Sequence, residues 1–366
     1  MFLKELSLRS FRNWENAEFS FSDGLNVLVG DNAQGKTNCA EAVFFLCTGF
    51  SPLAGRDKQM ITFQKDESMI FGSASTAFGD VSVEISLFEG RRKQIRVNGT
   101  PLKKAGDLLG NIDAVFFNPD ELKMVKETPA DRRRFLDVAI SQLHSPYYYA
   151  LATYNKILDQ RNRLLKEEDE ELITETLPVW DRELSAAGAK IAVLRREFIE
   201  KLSPAAAQAH AALTGGREEL SVLPEKEYLG NEAAVSEWFY QKLRENYERD
   251  RRAGFTTSGP HRDDLGLEID GKDVKTYCSQ GQKRTAALSL KLAELEIMRE
   301  ETGEYPLFIL DDVFSELDID RRRRLLDRLS GIQVFLTATH LDGDVFSGRH
   351  YRKFTVVDGT YTSTDF

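Results

Sequence analysis

The sequence predicts an α/β fold that is interrupted by a long helical insertion. Short apolar segments typical of buried strands lie towards both ends of the chain, at residues 25–30 and 307–311. Between about Thr128 and Ala253, apolar residues recur mostly at intervals of three and four, which is the spacing of one helix face. We therefore expect the two end regions to form one discontinuous α/β domain, with the helical block inserted into it.

The composition is that of a globular protein. The chain has 366 residues, of which 41% are hydrophobic, and its length suggests roughly two to three domains. No segment approaches the ~20 uninterrupted apolar residues of a membrane span, and the N-terminus lacks a signal-peptide layout, so we expect a cytoplasmic protein with no membrane partner. Cys39, Cys47 and Cys278 lack paired spacing, which favours free thiols over a zinc site or a disulfide frame.

The net charge limits how the chain can bind nucleic acid. A net charge of −10 argues against a uniformly basic binder, so any DNA contact must be a local basic patch. The alternative for each basic run is a solvated helix or strand face. The candidate runs are Arg91–Arg96, Arg132–Arg134, Arg251 with Arg252, and Arg321–Arg324.

The N-terminal region begins with a predicted strand, loop and helix. Leu25 to Gly30 is a short apolar run, and apolar residues recur at helical spacing after Lys36. The segments "VSVEISLFEG" and "KQIRVNGTPLKK" alternate in polarity, and Asn98-Gly99 suits a tight hairpin turn that requires positive φ. These segments predict an antiparallel sheet beside the loop, and "IDAVFF" predicts one more buried strand.

The helical block has its own start and stop signals. Thr128 can cap a helix, Pro129 suits its first position, and Asp131 favours its positive end. We expect a connection at "KEEDEEL", a restart at Ser203-Pro204 and a break at "TGGREEL". After a segment rich in turn residues, "PLFILDDV" and "QVFLTATH" predict two buried strands, with "RRRRLLDRL" as a helix between them.

The strongest motif lies between the first predicted strand and helix. The segment fits G-x-x-x-x-G-K-[ST], whose glycines let successive backbone N–H groups point at phosphate oxygens at the positive end of a helix. Lys36 is expected to contact the β- and γ-phosphates of ATP, and Thr37 to ligate Mg²⁺. The candidate ATP-binding residues of this loop are Gly30, Asp31, Asn32, Ala33, Gln34, Gly35, Lys36 and Thr37.

Two adjacent carboxylates follow the apolar strand in "FILDDVFSELD". A phosphate loop needs a carboxylate to hold its metal ion, and we assign that role to Asp311. Asp312 is the candidate catalytic residue, because an acceptor on the γ-phosphate side can orient or deprotonate the attacking water. The alternative is a solvated strand end, although two carboxylates after four apolar residues are costly to bury without a cation.

A second phosphate-type site is predicted in "CSQGQKRTAALSLKLAELEIM". Ser279, Gly281 and Gln282 lie at the start of a long predicted helix. One nucleotide does not need two such sites from one chain, so the second is expected to address the ATP of another subunit across a dimer. The alternative is a plain helix cap.

Taken in order, these segments resemble the ABC-type ATPase heads of the SMC superfamily and, more narrowly, the RecF family of bacterial recombination mediators. "GPHRDD" and "RRRFLD" are not general ATPase features, so the match is specific. The segments that carry it span nearly the whole chain: "SFRNW", "GDNAQGKTN", "PADRRRFLD", "SGPHRDDL", "SQGQKRTAALSLKLAE" and "FILDDVFSELD".

The resemblance implies an ABC-type ATPase head with an antiparallel sheet and a P-loop core, at residues 1–127 and 254–366, and a helical arm domain at 128–253. It implies an ATP-dependent homodimer that binds single-stranded or gapped DNA and works with RecO and RecR to load recombinase in repair and replication restart. It also implies a weak, DNA-stimulated ATPase in which hydrolysis acts as a switch.

Some positions matter only through the resemblance. Ser315–Asp318 is expected to face the site of the partner subunit. Asn118 either replaces a Gln that senses Mg²⁺ in relatives or is a turn residue. Leu53 stands where the family often has an Arg, which leaves Arg56 as the nearest basic residue, and His340 either lies near the γ-phosphate or is a surface residue.

Two rival functions are weighed against this interpretation. A transporter ATPase subunit is disfavoured by the long helical insertion and by the absence of L-S-G-G-Q. The other is an ABC-type ATPase clamp of a different SMC-like DNA-maintenance pathway, including one in which ATP gates dimerisation and hydrolysis is incidental.

Overall fold

The computed structural model describes residues 1–341 and 343–366, and for Glu316 the backbone alone. Within this described part the strands are β1 Phe2–Phe11, β2 Trp14–Ser20, β3 Leu25–Val29, β4 Glu67–Thr76, β5 Gly79–Phe88, β6 Gln94–Val97, β7 Thr100–Pro101, β8 Ala114–Phe117, β9 Leu220–Pro224, β10 Leu265–Ile269, β11 Lys272–Asp273, β12 Leu307–Asp311, β13 Val334–Ala338, β14 Tyr351–Val357 and β15 Thr360–Asp365. The α-helices are α1 Lys36–Thr48, α2 Lys123–Lys126, α3 Pro129–Leu143, α4 Ser145–Leu164, α5 Glu170–Thr214, α6 Glu232–Glu245, α7 Tyr247–Ala253, α8 Val274–Tyr277, α9 Gln280–Thr302, α10 Ile319–Arg328 and α11 Gly343–Phe346. No described helix is both long enough and apolar enough to cross a membrane.

The chain divides into two compact units. The head unit comprises Met1–Leu122, Ala205–Glu219 and Cys278–Phe366, and the arm unit comprises Lys123–Pro204 and Leu220–Tyr277. The units differ from the expected domains in three places, because 123–127 and 254–277 belong to the arm unit and 205–219 to the head unit. The physical reason is strand pairing: β9 pairs with β10, which pairs with β11, so residues far apart in sequence share one small sheet.

One sheet of the head unit is antiparallel, with the order β2-β1-β4-β5-β6-β7. Buried residues alternate along β4 and β5, as expected for a sheet that covers a core on one face. The turn between β6 and β7 has φ of 51° at Asn98 and 75° at Gly99, which confirms the predicted hairpin turn. The predicted antiparallel sheet is therefore present.

The other sheet of the head unit has the order β15-β14-β3-β13-β12-β8. β8, β12, β13, β3 and β14 run parallel, and β15 is antiparallel to β14. β12 and β13 are buried along their whole length, as parallel strands covered on both faces are. The carboxyl ends of β3, β12 and β13 meet at one edge, where ligands bind in open α/β sheets.

The arm unit is mainly helical and contains a buried ion-pair cluster. Thr128 precedes α3 and donates its N–H and hydroxyl to the Asp131 carboxylate, at 3.1 and 2.7 Å, which confirms the predicted helix start. Arg161, which is fully buried, donates to the carboxylates of Asp181 at 2.6 Å and Asp250 at 2.7 Å. Because a buried charge needs a partner, this cluster fixes how α4, α5 and α7 pack.

One predicted helix boundary is wrong. The sequence suggested a restart at Ser203-Pro204, but α5 is continuous from Glu170 to Thr214 and includes both Pro178 and Pro204. A proline inside a helix removes one backbone hydrogen bond, and tertiary packing can offset that loss. The predicted break at "TGGREEL" is confirmed, because α5 ends at Thr214.

Candidate nucleotide site

The phosphate loop connects β3 to α1, as the motif requires. Gly35 has φ of 116° and Ala33 has φ of 66°, so the loop takes the left-handed conformation at two positions. A Cβ atom at Gly30 would lie 2.3 Å from the carbonyl oxygen of Val356, which only a glycine avoids. The two motif glycines therefore serve different needs: backbone curvature at Gly35 and close approach of β14 at Gly30.

Lys36 closes the loop on itself. Its Nζ donates to the carbonyl oxygens of Gly30 and Asp31, each at 2.7 Å, and the side chain is buried. Burial lowers the pKa of Lys36, while the nearby carboxylates of Asp312 and Asp311 act in the opposite direction. The ammonium group therefore lies inside the loop, where phosphate oxygens can replace its carbonyl partners.

Asp311 is the carboxylate nearest to the loop. Its Oδ1 accepts from the Thr37 hydroxyl at 2.9 Å and from the Thr337 hydroxyl at 2.6 Å. Burial and the neighbouring Asp312 raise the pKa of Asp311, and the two hydroxyl donors partly offset that effect. A buried carboxylate with a raised pKa favours a cation as neighbour.

These donors fit a magnesium ion held together with a nucleotide. Thr37 and Asp311 supply hard oxygen ligands, and Mg²⁺ is usually held by one or two such groups plus substrate phosphates. Among the described residues there is no cluster of three or more His, Cys, Asp or Glu side chains that could hold a metal ion alone. The arrangement therefore suits a metal ion that arrives with phosphate.

Asp312 has an unusual backbone conformation. Its φ is 52°, in the left-handed region, and its N–H donates to the Thr337 hydroxyl at 3.0 Å. Strained backbone of this kind persists only where the surrounding structure holds it, and it is common at functional sites. Together with Lys36 and Thr37, Asp312 lines a cleft of about 120 Å³ at the phosphate loop.

A neighbouring cleft of about 250 Å³ also includes Asp312. Ser315 and His340 line it too, and His340 is exposed, so it is a surface residue that faces the same cleft as Asp312. The Ser315 hydroxyl donates to the backbone oxygen of Asp312 at 2.8 Å. In the segment expected to face a partner subunit, the side chain of Glu316 lies outside the described residues.

The second predicted phosphate site lies at the start of α9. The Ser279 hydroxyl accepts from the Gln282 N–H at 3.3 Å, and the Gln282 side chain accepts from the Ser279 N–H at 2.9 Å. This reciprocal capping box matches the plain-cap alternative within one chain. Ser279 is exposed, and none of Ser279, Gly281 and Gln282 is among the described residues that line the 120 Å³ cleft.

Two other predicted positions have structural partners of their own. The Asn118 side chain accepts from the N–H of Glu121 at 3.1 Å, as a turn residue does. Arg56 is exposed, and its N–H donates to the Gln59 side chain at 3.1 Å at the start of a short 3₁₀ helix. Neither lines the clefts described above.

The sequence interpretation missed two residues at the loop. The Thr337 hydroxyl makes hydrogen bonds to both Asp311 and Asp312. The sequence signal that could have revealed it is a threonine inside an apolar strand, next to the strand that ends in the two carboxylates. Asn13 donates to the backbone oxygen of Gln34 at 2.9 Å and accepts from the Asn38 side chain at 2.8 Å. Asn13 lies in the "SFRNW" segment, to which no role was assigned.

The chain is similar to known proteins in both sequence and structure. The family model described as "RecF/RecN/SMC N terminal domain" matches residues 2–347. The chain is 45% identical to DNA replication and repair protein RecF of Alkaliphilus oremlandii, over 93% of this chain and 94% of that protein. It is 40% identical to the protein of the same name from Clostridium novyi, over 98% and 99% of the two chains.

Solved structures agree with these matches. One described as "Structure of the recombination mediator protein RecF-ATPrS in RecFOR pathway" has a TM-score of 0.91 and 35% identity, over 99% of this chain and 98% of that one. An Smc head bound to a ScpA domain has a TM-score of 0.59 and 15% identity, over 100% and 98%, which shows a shared fold alone. These matches confirm the ABC-type ATPase head and the resemblance predicted from the motifs, and the chain belongs to the RecF family.

Proposed function

We propose that this chain is an ATP-dependent DNA-binding protein of recombinational repair and replication restart, which binds single-stranded or gapped DNA and helps to load recombinase. The observation that carries the proposal is the convergence of Lys36, Thr37, Asp311 and Asp312 at one sheet edge in a RecF-family chain. The names of the relatives, and the matched mediator structures with ATPrS and ATP, support the same role here.

The loop and the strand end would hold ATP with Mg²⁺. Lys36 would exchange its two carbonyl partners for β- and γ-phosphate oxygens, which is supported by its place inside the loop. Thr37 and Asp311 would supply oxygen ligands to the metal ion. When bound, the ion supplies positive charge that stabilises the transferring phosphoryl group.

Asp312 would act on the attacking water. Its held left-handed backbone and its place in both clefts support a side chain that is oriented before ATP binds. The carboxylate can accept a hydrogen bond or a proton from water on the γ-phosphate side. We propose that hydrolysis is weak, is stimulated by DNA and serves as a switch.

ATP would also close a homodimer. Ser279, Gly281 and Gln282 stand at the start of a long helix, Ser279 is exposed, and none of the three lines the cleft of its own chain within the described residues. Backbone N–H groups at a helix start suit a phosphate. We propose that they complete the ATP site of a second copy.

DNA would bind on a local patch, since the whole chain is acidic. Most basic residues of the candidate runs already make contacts within the protein. For example, Arg132 forms an ion pair with Asp264, and Arg324 donates a hydrogen bond to the backbone carbonyl of Leu213. Arg91 and Arg92 are exposed in the connection between β5 and β6, with Arg91 over the Phe88 ring, which makes their run the best supported DNA contact. We further propose RecR and RecO as partners and a cytoplasmic location.

The decisive experiment measures mass in solution by light scattering, with and without Mg-ATP, on the full chain. We expect a dimer only with Mg-ATP, no dimer for Lys36→Ala, and a persistent dimer without turnover for Asp312→Asn. A wild-type chain that stays monomeric in Mg-ATP overturns the shared site.

DNA binding is tested in parallel by fluorescence anisotropy with a single-stranded and a gapped oligonucleotide. We expect binding that requires Mg-ATP and weakens steeply as salt rises, because phosphate contacts release counterions. Equal affinity for intact duplex DNA contradicts the proposed substrate preference.

A further inference from the structure

Two turns from distant parts of the chain flank the phosphate loop on the head unit. The first joins β1 to β2 and contains Arg12, with φ of 55°, and Asn13. The second joins β14 to β15 and contains Asp358 and Gly359, with φ of 44° and 68°. Neither turn belongs to the nucleotide-binding motif.

Both turns bind the same residue of the loop. The backbone oxygen of Gln34 accepts from Nδ2 of Asn13 at 2.9 Å and from the N–H of Gly359 at 3.1 Å. The Gln34 side chain accepts from the N–H of Asp358 at 2.6 Å. Three donors from outside the loop therefore hold one loop residue.

The two turns also touch each other. A Cβ atom at Gly359 would lie 2.3 Å from the backbone oxygen of Asn13, so a larger residue must displace the turn. A Cβ atom at Gly35 would lie 2.7 Å from Nδ2 of Asn13. The space between the loop and the turns is thus filled by backbone atoms and by the Asn13 side chain.

These contacts determine where the loop N–H groups point. Across a trans peptide, the carbonyl of Gln34 and the N–H of Gly35 point in opposite directions. Because that carbonyl is held towards the two turns, the Gly35 N–H faces away from them. In the same way, Trp14 Nε1 donates to the Gly35 carbonyl at 3.1 Å, which turns the Lys36 N–H away from Trp14.

We propose that Asn13 and Gly359 are positioning residues that orient the Gly35 N–H for a nucleotide phosphate before ATP binds. The inference rests on the proposed ATP site and adds to it a contribution from the C-terminal hairpin. Preorganised donors bind a ligand more tightly because less freedom is lost on binding. The predicted effect is on nucleotide affinity, with little effect on the chemical step.

The test compares the full-length wild type with Asn13→Ala and Gly359→Ala. The dissociation constant is measured by the anisotropy of a ribose-labelled fluorescent ATP analogue with Mg²⁺, and turnover is measured at saturating ATP. We expect each variant to bind the analogue about three- to tenfold more weakly, as loss of one or two hydrogen bonds implies. Turnover at saturation should stay within about twofold of wild type.

Gly99→Ala is the matched control. Gly99 also lies in a hairpin turn of the head unit with φ of 75°, but a Cβ atom there would meet nothing within 4 Å. Gly99→Ala therefore brings the same backbone strain without contact to the loop, and we expect wild-type affinity. Thermal unfolding of all the variants separates a loss of stability from a loss of affinity.

The outcomes separate the two proposals. If the wild type binds the analogue and both variants bind it equally well, the positioning role is refuted. If the wild type does not bind it, the ATP site itself fails and this inference fails with it. If Gly359→Ala does not fold, Asn13→Ala decides alone, because Asn13 is half-buried and its truncation leaves no core cavity.

Discussion

Thr337→Val tests whether one buried hydroxyl organises both carboxylates of the site. Thr337 lies in β13, donates to Asp311 at 2.6 Å and accepts from the N–H of Asp312 at 3.0 Å. Valine has nearly the same shape but no hydroxyl. The substitution leaves the Asp312 N–H, and one acceptor position of Asp311, without this partner.

The expected loss follows from those two contacts. A hydrogen bond to a charged group contributes about 1.5–3 kcal/mol, and leaving the partly buried Asp312 N–H unsatisfied costs about 1 kcal/mol, the lower end of the range for a buried group. The contacts share one hydroxyl, so we expect the free energy of unfolding to fall by ~2–4 kcal/mol. Loss of a donor also raises the pKa of Asp311 further, which weakens its interaction with a metal ion.

The assays are thermal unfolding of the full chain and ATPase activity across a range of Mg²⁺ concentrations. We expect a lower Tm and a higher Mg²⁺ requirement. Thr355→Val is the control, since Thr355 lies in β14 of the same sheet and its side chain makes no hydrogen bond within the described residues. A Thr337→Val protein with wild-type Tm and an unchanged Mg²⁺ titration refutes the reasoning.

Three more predictions concern other groups of the chain. Burial lowers the pKa of His261 to about 4, so the unfolded chain binds more protons than the folded chain between about pH 6.5 and 4. The free energy of unfolding should therefore fall as pH drops through that window, by at most about 3 kcal/mol. His261→Gln should remove this effect and flatten a plot of Tm against pH. Arg161→Leu leaves the Asp250 carboxylate buried without its counter-ion, so chemical denaturation should report a loss of about 3–5 kcal/mol, whereas a loss below 1 kcal/mol contradicts the ion-pair argument. Gly30→Ala would place a Cβ atom 2.3 Å from the Val356 carbonyl oxygen of β14, so calorimetry should show at least about tenfold weaker ATP binding. Wild-type affinity in this variant would contradict the close approach of the loop to β14.

Most residues of the candidate site could be predicted from short sequence patterns. The phosphate loop from Gly30 to Thr37 and the strand-end pair Asp311 and Asp312 were predictable, because each depends on a short segment whose conformation its own residues determine. The helix start at Thr128 is local in the same sense. The place of Asp311 beside Thr37 also followed, since parallel strands bring their carboxyl ends to one edge.

The residues that sequence reasoning missed act over long distances along the chain. Thr337 contacts Asp311 across 26 positions of sequence, and Gly359 contacts the Gln34 backbone next to the Asp358–Gln34 contact, which spans 324 positions. Neither has a local motif, because a hydroxyl in a strand and a glycine in a turn are common in any protein. Only the strand order, with β14 beside β3, brings the C-terminal hairpin to the loop.

The sequence by itself therefore determined the family and the local elements on which the proposed chemistry rests: a glycine-rich loop between a strand and a helix, a carboxylate pair at a strand end, and α/β segments on both sides of a helical block in the sequence. The tertiary structure decided which residues support that chemistry and where the units divide. Pairing of β9 with β10 places residues 254–277 in the arm unit, and α5 runs without a break through Pro204, where the local signal predicted a restart. Motifs are encoded by neighbours in sequence, whereas supports and boundaries depend on contacts between residues that only folding brings together.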